Sequence, residues 1–141
     1  MKIRPLLIDD IGEVTAMFIA LIQIVYPKHQ KGLYDTFLHV VQSWVINKRD
    51  IFIAEHEGEL VGFSLSYVIE EKILEPYYQG DLLYIKPKFR KSKASYLLYA
   101  NMLNISNNLK MPIHAKGYTQ NDAGKILAKF GEPTFVEFIK V

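Results

Sequence analysis

Hydrophobic residues recur at helical spacing in the first part of the chain. After a short strand predicted at residues 3–6, one face of a helix carries Ile11, Val14, Phe18, Leu21 and Val25. Asp9 or Asp10 is placed to cap the start of this helix, and Pro27 ends it. A second helix is predicted over about residues 33–47, where the apolar positions are Phe37, Val41 and Trp44.

The middle of the chain carries the alternating pattern that is typical of strands. An apolar run at residues 51–54 is followed by a Glu57-Gly58 turn, and the chain then alternates over residues 61–67. One face of the returning strand carries Val61, Phe63, Leu65 and Tyr67. The other face carries Gly62, Ser64 and Ser66. The two segments predict an antiparallel hairpin.

Strands and helices alternate in the last part of the chain. A strand at residues 81–85 leads through a basic loop into a long helix, whose apolar positions are Ala94, Leu98, Met102, Ile105 and Leu109. A short strand at residues 113–115, a helix that Asn121 caps and a final strand at residues 135–141 follow. The fold class is therefore α/β to α+β, with a mixed, mostly antiparallel central sheet and helices on both faces.

Length and composition narrow the possibilities further. The 141 residues suffice for one domain, and residues 1–141 are interpreted as a single domain because no linker or repeat divides them. The absence of cysteine excludes disulfide scaffolds, thiolate catalysis and Cys-ligated metal clusters. No metal is expected, because the spacing of the histidines is not that of a metal site; they are His29, His39, His56 and His114.

Charge and hydropathy bear on location and partners. The net charge of +2 is too weak to indicate a nucleic-acid partner. The longest early apolar run, residues 16–22, is far shorter than the roughly 20 residues of a membrane span, and no signal-peptide pattern follows Lys2 and Arg4. We expect a cytoplasmic protein with no membrane partner. The last strand can pair with that of a second copy, which leaves a homodimer open.

The segment from residue 81 to residue 98 carries the densest chemistry. Five of the eight residues at positions 86–93 are basic. They lie where a strand runs into a helix, and the first turn of a helix leaves backbone N–H groups free to bind an anion. Cations and free amides together predict a pyrophosphate site. The alternatives are a solvated basic loop and, on weaker grounds, a loop that docks nucleic acid.

Three patches of the chain resemble the GCN5-related N-acetyltransferases. The first comprises residues 3–5 and 9–11, and the second is residues 51–63, where an acidic-Gly turn precedes a Val-Gly step. The third matches the family's acyl-CoA motif, Val-x-Pro-x-x-Arg-x-x-Gly-x-Gly, at Ile85, Pro87 and Arg90. The order of elements also agrees along nearly the whole chain. The loop is similar to that of short phage-type members, in which the acyl-CoA motif is degenerate.

The resemblance implies a reaction and a co-substrate. An acetyl group would pass from acetyl-CoA to an amine acceptor, either a small molecule or a protein, by direct attack in a ternary complex. The cofactor-binding residues that it implies are Tyr84, Ile85, Arg90, Lys91, Ser92, Lys93, Ala94, Ser95 and Asn121. It also implies that a backbone N–H near Tyr84 or Ile85 holds the tetrahedral oxyanion.

The chain departs from the family's pattern at three positions. Lys93 and Ser95 stand where the motif has glycines that let the backbone approach the pyrophosphate, although the Lys93 ammonium can itself contact a phosphate. Leu127 stands where many members carry a tyrosine acid. These departures favour the alternative function, a catalytically inactive protein that keeps the fold as a binding or virion-associated module.

Candidates for proton transfer follow from the same resemblance. A primary amine has a pKa of about 10.4, so the acceptor needs a base before it can attack. The first candidate is Asp81, because it begins the predicted strand that enters the loop; the alternatives are Glu70, Glu71 and Glu75. Tyr118 is the candidate acid in place of Leu127.

Overall fold

A computed structural model of the chain describes residues 1–25, 34–70, 73, 75–118 and 136–139. Its strands and helices, in chain order, are β1 (Lys2–Pro5), α1 (Ile11–Val25), α2 (Tyr34–Ile46), β2 (Asp50–His56), β3 (Glu59–Ile69), β4 (Tyr77–Ile85), α3 (Ala94–Asn108), β5 (Ile113–Tyr118) and β6 (Val136–Ile139). Short 3-10 turns at Ile8–Asp10 and Pro87–Phe89 precede α1 and α3. The predicted order of elements is confirmed over these ranges. The helix predicted after Asn121 lies outside the described residues.

The six strands form one sheet in the order β1-β2-β3-β4-β5-β6. Strands β1 to β4 are antiparallel neighbours, whereas β5 runs parallel to β4 and β6 runs parallel to β5. Helices α1 and α2 pack on one face of the sheet, and α3 packs on the other. The mixed, mostly antiparallel sheet with helices on both faces, expected from the sequence, is confirmed.

The α1 face of the sheet holds the larger apolar core. The stripe of α1 predicted from its spacing buries Val14, Phe18 and Leu21 against apolar residues of β2, β3 and β4. Trp44 of α2 packs against Phe18, with 4.8 Å between ring centroids. Each large side chain removed from water here contributes about 1.5–3 kcal/mol to the free energy of folding.

The α3 face contains one departure from the predicted alternation. Val61 was expected beside Phe63, but it packs against α3 instead. The reason is a β-bulge, because Ala54 pairs with Gly62 while the next residue of β2 pairs with Leu60, so Val61 is an additional residue in β3. The alternation then continues, since Phe63 and Leu65 lie in the α1 core and Ser64 and Ser66 therefore face α3, where Ser66 meets Tyr78.

A bidentate ion pair fastens β1 to the turn before α1. The Arg4 guanidinium donates to the Asp10 carboxylate at 2.7 and 3.1 Å, and the same carboxylate accepts the Leu7 N–H at 2.7 Å. The Asp10 carboxylate thus accepts a backbone hydrogen bond from the turn that precedes α1. These hydrogen bonds, led by those from Arg4, hold the pKa of the Asp10 carboxyl below its ordinary value.

Candidate active site

Strand β4 contains a bulge at Asp81. The strand begins at Tyr77, so the expectation that Asp81 begins the strand is wrong, and Asp81 lies within it. Gly80 pairs with Ser66 and Leu82 pairs with Leu65, which makes Asp81 an additional residue in the register between β4 and β3. The sequence could not show that the strand begins at Tyr77, because Gln79 and Asp81 interrupt the apolar alternation by which a strand is recognised. Bulges redirect side chains and are frequent beside active sites.

The bulge places two consecutive side chains on the α1 face. Leu82 packs against the α1 core, and the Asp81 Oδ2 atom accepts a hydrogen bond of 3.0 Å from the Tyr67 hydroxyl. On the opposite face, Leu83 and Ile85 pack toward α3. The candidate base is therefore directed away from α3, onto the face that α1 and α2 cover in part.

Strands β4 and β5 stop pairing at this same place. Their paired positions run from Tyr78 with Ile113 to Gly80 with Ala115. From Ala115 onward β5 is paired with β6, while residues 82–85 of β4 are paired on the β3 side alone as far as the described ranges go. One edge of β4 is thus left with backbone groups available to a ligand, starting at the bulge.

Backbone alternation shows which amides lie on this edge. The Lys86 N–H donates to the Val61 carbonyl on β3 at 2.9 Å, and successive N–H groups of a strand point to opposite sides. The Tyr84 N–H therefore points toward β3, whereas the Ile85 N–H points to the open edge. The Ile85 carbonyl points away from β3 as well, because it accepts a hydrogen bond of 3.2 Å from Arg90 Nε. Of the two amides considered from the sequence, the geometry favours Ile85.

The basic loop divides into anchored and unpaired cations. Lys86 Nζ lies 3.3 Å from Glu13 Oε1, and Lys88 Nζ lies 2.7 Å from Glu59 Oε1. Arg90 is held at the end of β4 by its bond to Ile85. Lys91 and Lys93 are exposed, and neither forms an ion pair with a described carboxylate. Two cations are therefore available next to the start of α3.

The start of α3 is formed without glycine and without strain. Lys93 has φ −77° and ψ 0°, an ordinary right-handed conformation. The Ala94 N–H donates to Ser92 Oγ at 3.2 Å, and the first helical bond is from the Leu97 N–H to the Lys93 carbonyl. The Ser95 N–H lies within the first turn, where a helix supplies no partner. The departures from glycine thus leave the ordinary geometry of a helix start in place.

The other predicted site residues fall in three groups. Tyr84 is buried in the α1 core by its side chain, and Tyr118 is the last residue of β5, where its backbone pairs with Ile139. Glu70 and Glu75 are exposed on either side of the connection between β3 and β4. Outside the described residues lie Glu71, Asn121 and Leu127.

Sequence reasoning missed the aromatic surroundings of Asp81. The Arg49 guanidinium carbon lies 3.9 Å from the centroid of the Tyr67 ring, and Tyr77 stacks on His114 at 3.9 Å between centroids. Burial, together with the Asp81 charge and hydrogen bond, raises the pKa of Tyr67 to about 12. Tyr67 was assigned to an apolar face, and only the pairing of β3 with β4 shows its hydroxyl beside a carboxylate.

Beneath α3 lies a short buried polar chain. The Tyr78 hydroxyl donates to Asp50 Oδ2 at 2.7 Å and lies 2.7 Å from Ser66 Oγ. Burial is the main cause that raises the pKa of Tyr78. The neighbouring Ser64 Oγ is also buried, and it has no hydrogen-bond partner among the described residues.

Two features are absent from the part of the chain that the structure describes. No described helix has the length and apolar character needed to cross a membrane. Within the same ranges, no three His, Asp or Glu side chains are grouped so that they could hold a metal ion.

Comparison with known proteins identifies the fold. No protein-family model and no curated protein matches the sequence. Among solved structures, a probable acetyltransferase has a TM-score of 0.79 at 14% identity, over 94% of this chain and 89% of the other. A ribosomal-protein-alanine N-acetyltransferase from Brucella melitensis has a TM-score of 0.72 at 14% identity, over 93% and 83%.

A third solved structure is similar over the same extent. It is an aminoglycoside acetyltransferase from an uncultured soil metagenomic sample, with a TM-score of 0.69 at 18% identity, over 94% of this chain and 88% of the other. At such low identity the likeness is one of fold. The resemblance stated from the sequence is confirmed at that level, and the chain has the fold of the GCN5-related N-acetyltransferases.

Proposed function

We propose that this protein transfers an acetyl group from acetyl-CoA to an amine acceptor. The observation that carries the proposal is the coincidence of three features at the end of β4: the bulge, the loss of pairing with β5 after Gly80, and the basic start of α3. The fold shared with solved acetyltransferases supports it. The opening can accept an extended thioester, and the helix start can accept its pyrophosphate.

The pyrophosphate would bind at the start of α3. The Ser95 N–H lies in the first helical turn, and the ammonium groups of Lys91 and Lys93 are not taken up by carboxylates of the described ranges. Amides at a helix start favour a negative ligand, and charge-assisted hydrogen bonds from lysine strengthen its binding. Arg90 would act chiefly by fixing the loop to Ile85.

The amide-containing arm of the co-substrate would run along the open edge of β4. Backbone groups of Leu83 and Ile85 face that edge, since their neighbours bond to β3. An extended chain with amides can pair with such an edge as an added strand does. This pairing would bring the thioester toward Asp81, where β4 and β5 separate.

The chemistry needs one base and one oxyanion donor. Asp81 would take a proton from the acceptor amine, whose nitrogen attacks the thioester carbon and forms the new C–N bond. The oxyanion of the tetrahedral intermediate would accept a hydrogen bond from the Ile85 N–H, and collapse of the intermediate would break the C–S bond. The departing thiolate has a parent pKa of about 8.5, so it needs little help, and Tyr118 is the candidate to protonate it.

The acceptor is proposed as an amine without further restriction. The similar structures include an enzyme named for aminoglycosides and one named for an alanine of a ribosomal protein. A small-molecule amine and a protein amine therefore both belong in the first panel of acceptors.

The proposed function is tested by binding and turnover together. Acetyl-CoA should raise the melting temperature in a concentration-dependent way, because a ligand that binds the folded state stabilises it by mass action. Release of free thiol should then depend on one member of an amine panel. No thermal shift at millimolar acetyl-CoA would refute the proposal. Binding without turnover on any amine would instead indicate the inactive binding protein.

A further inference from the structure

The Tyr67 hydroxyl and the Asp81 carboxylate form a hydrogen bond that the bulge makes possible. Tyr67 is paired with Gln79 across the two strands, and the additional residue at 81 brings the carboxylate back to the same face. The Tyr67 Oη to Asp81 Oδ2 distance is 3.0 Å, and both side chains are half-buried. A substrate amine could thus meet a carboxylate whose orientation is already set.

The Tyr67 ring is itself held from its face by a cation. The Arg49 guanidinium lies over it at 3.9 Å from the centroid, a contact that cation–π attraction stabilises. The Arg49 N–H donates to the Trp44 carbonyl at 2.9 Å, which fixes this residue between α2 and β2. The hydroxyl that meets Asp81 is therefore supported by a chain of contacts reaching α2.

We propose that Tyr67 is a positioning residue for Asp81, orienting the carboxylate so that it can take the acceptor's proton. The proposal rests on the proposed function, in which Asp81 is the base. A hydroxyl that donates to one carboxylate oxygen restricts rotation of the group. The restricted carboxylate loses less orientational freedom when it meets the amine.

Several other charged or titratable groups share this face. Arg49 approaches from the position before β2, Tyr77 lies earlier on β4, and His114 of β5 stacks on Tyr77. A change confined to the Tyr67 hydroxyl is therefore the cleanest test, because it leaves the other three groups unchanged.

The test is Tyr67→Phe in the full chain. Loss of the orienting hydrogen bond should lower kcat about tenfold while the KM for acetyl-CoA is unchanged, because the carboxylate is then less often directed at the amine. The ¹³C resonance of the Asp81 carboxyl at a fixed pH should also move. Tyr77→Phe removes a hydroxyl from the same face and should leave both kcat and this resonance unmoved.

A second variant covers the case in which Tyr67→Phe does not fold. Arg49→Gln keeps the Tyr67 hydroxyl but removes the cation above its ring, and it should lower kcat by a smaller factor, again without a change in the KM for acetyl-CoA. A kcat and an Asp81 carboxyl resonance that are both unmoved in the folded variants overturn the positioning role. Failure of the wild-type protein to bind acetyl-CoA would overturn the proposed function instead. The carboxyl resonance would still report on the Tyr67–Asp81 contact in that case.

Discussion

Gly62 lies opposite Ile85 so closely that no side chain fits between them. A Cβ atom built on Gly62 would stand 2.6 Å from Ile85 Cδ1 and 3.1 Å from Ile85 Cα, and it would overlap the Tyr84 carbonyl oxygen. Contacts with backbone atoms cannot be relieved by a side-chain rotation. Gly62 thus allows β3 to approach β4 at the point where the open edge of β4 ends.

Gly62→Ala should therefore destabilise the fold. Overpacking against backbone costs about 1–3 kcal/mol of unfolding free energy, and the affinity for acetyl-CoA should fall with it because Ile85 must move. Urea denaturation measures the first effect. Gly12→Ala is the matched control, since the added methyl group meets only ordinary contact at 3.5 Å and alanine favours a helix. Equal losses in both variants would contradict the close approach.

Ser64 and Ser66 should respond oppositely to the loss of their hydroxyls. Ser64→Ala removes a buried Oγ that has no described partner, so the unfolding free energy should be unchanged or should rise by about 1 kcal/mol. Ser66→Ala removes a partner of the Tyr78 hydroxyl and should cost about 0.5–1.5 kcal/mol. Chemical denaturation of the two variants under identical conditions makes the comparison. A larger loss for Ser64→Ala would show that its hydroxyl is in fact satisfied.

Asp10 should contribute a pH-dependent part of the stability. Its pKa is lowered in the folded state, first by the Arg4 hydrogen bonds, so its contribution is present above the unfolded value of about 3.9 and is lost as the pH falls through the folded value. Asp10→Asn should cost about 1–3 kcal/mol at pH 7. That difference should shrink toward pH 3. Denaturation at both pH values checks it, with exposed Asp9→Asn as a control expected to show little change at either.

Lys91 and Lys93 should contribute to acetyl-CoA binding in a way that Lys88 does not. Replacing either unpaired lysine by glutamine should raise the dissociation constant about five- to tenfold, and the effect should weaken with added salt. Lys88→Gln should change it little, because Lys88 is engaged with Glu59. Isothermal titration at two salt concentrations measures this. The same loss in all three variants would indicate a diffuse charge effect and no built anion site.

Periodicity sufficed for the elements whose side chains face one core. The apolar stripe of α1 and the order of β2, β3 and β4 follow from spacing alone, because each element places an apolar stripe in the α1 core. The faces of Val61 and Asp81 could not be predicted in this way. Each is an additional residue in its strand, and the flanking sequence does not show where the alternation changes phase. The Tyr67–Asp81 hydrogen bond could not be predicted either, because it depends on the register between two strands.

Odd and even positions exchange their meaning within β4. Before the bulge the even-numbered Tyr78 faces α3, and after it the odd-numbered Leu83 and Ile85 do. Deleting Asp81 would therefore leave Leu82, Leu83 and the following side chains on their present faces, because Gly80 and Leu82 already pair with the adjacent residues Ser66 and Leu65 of β3. An engineered strand without the insertion would retain both packed faces and lose only the bulge and the carboxylate that it carries.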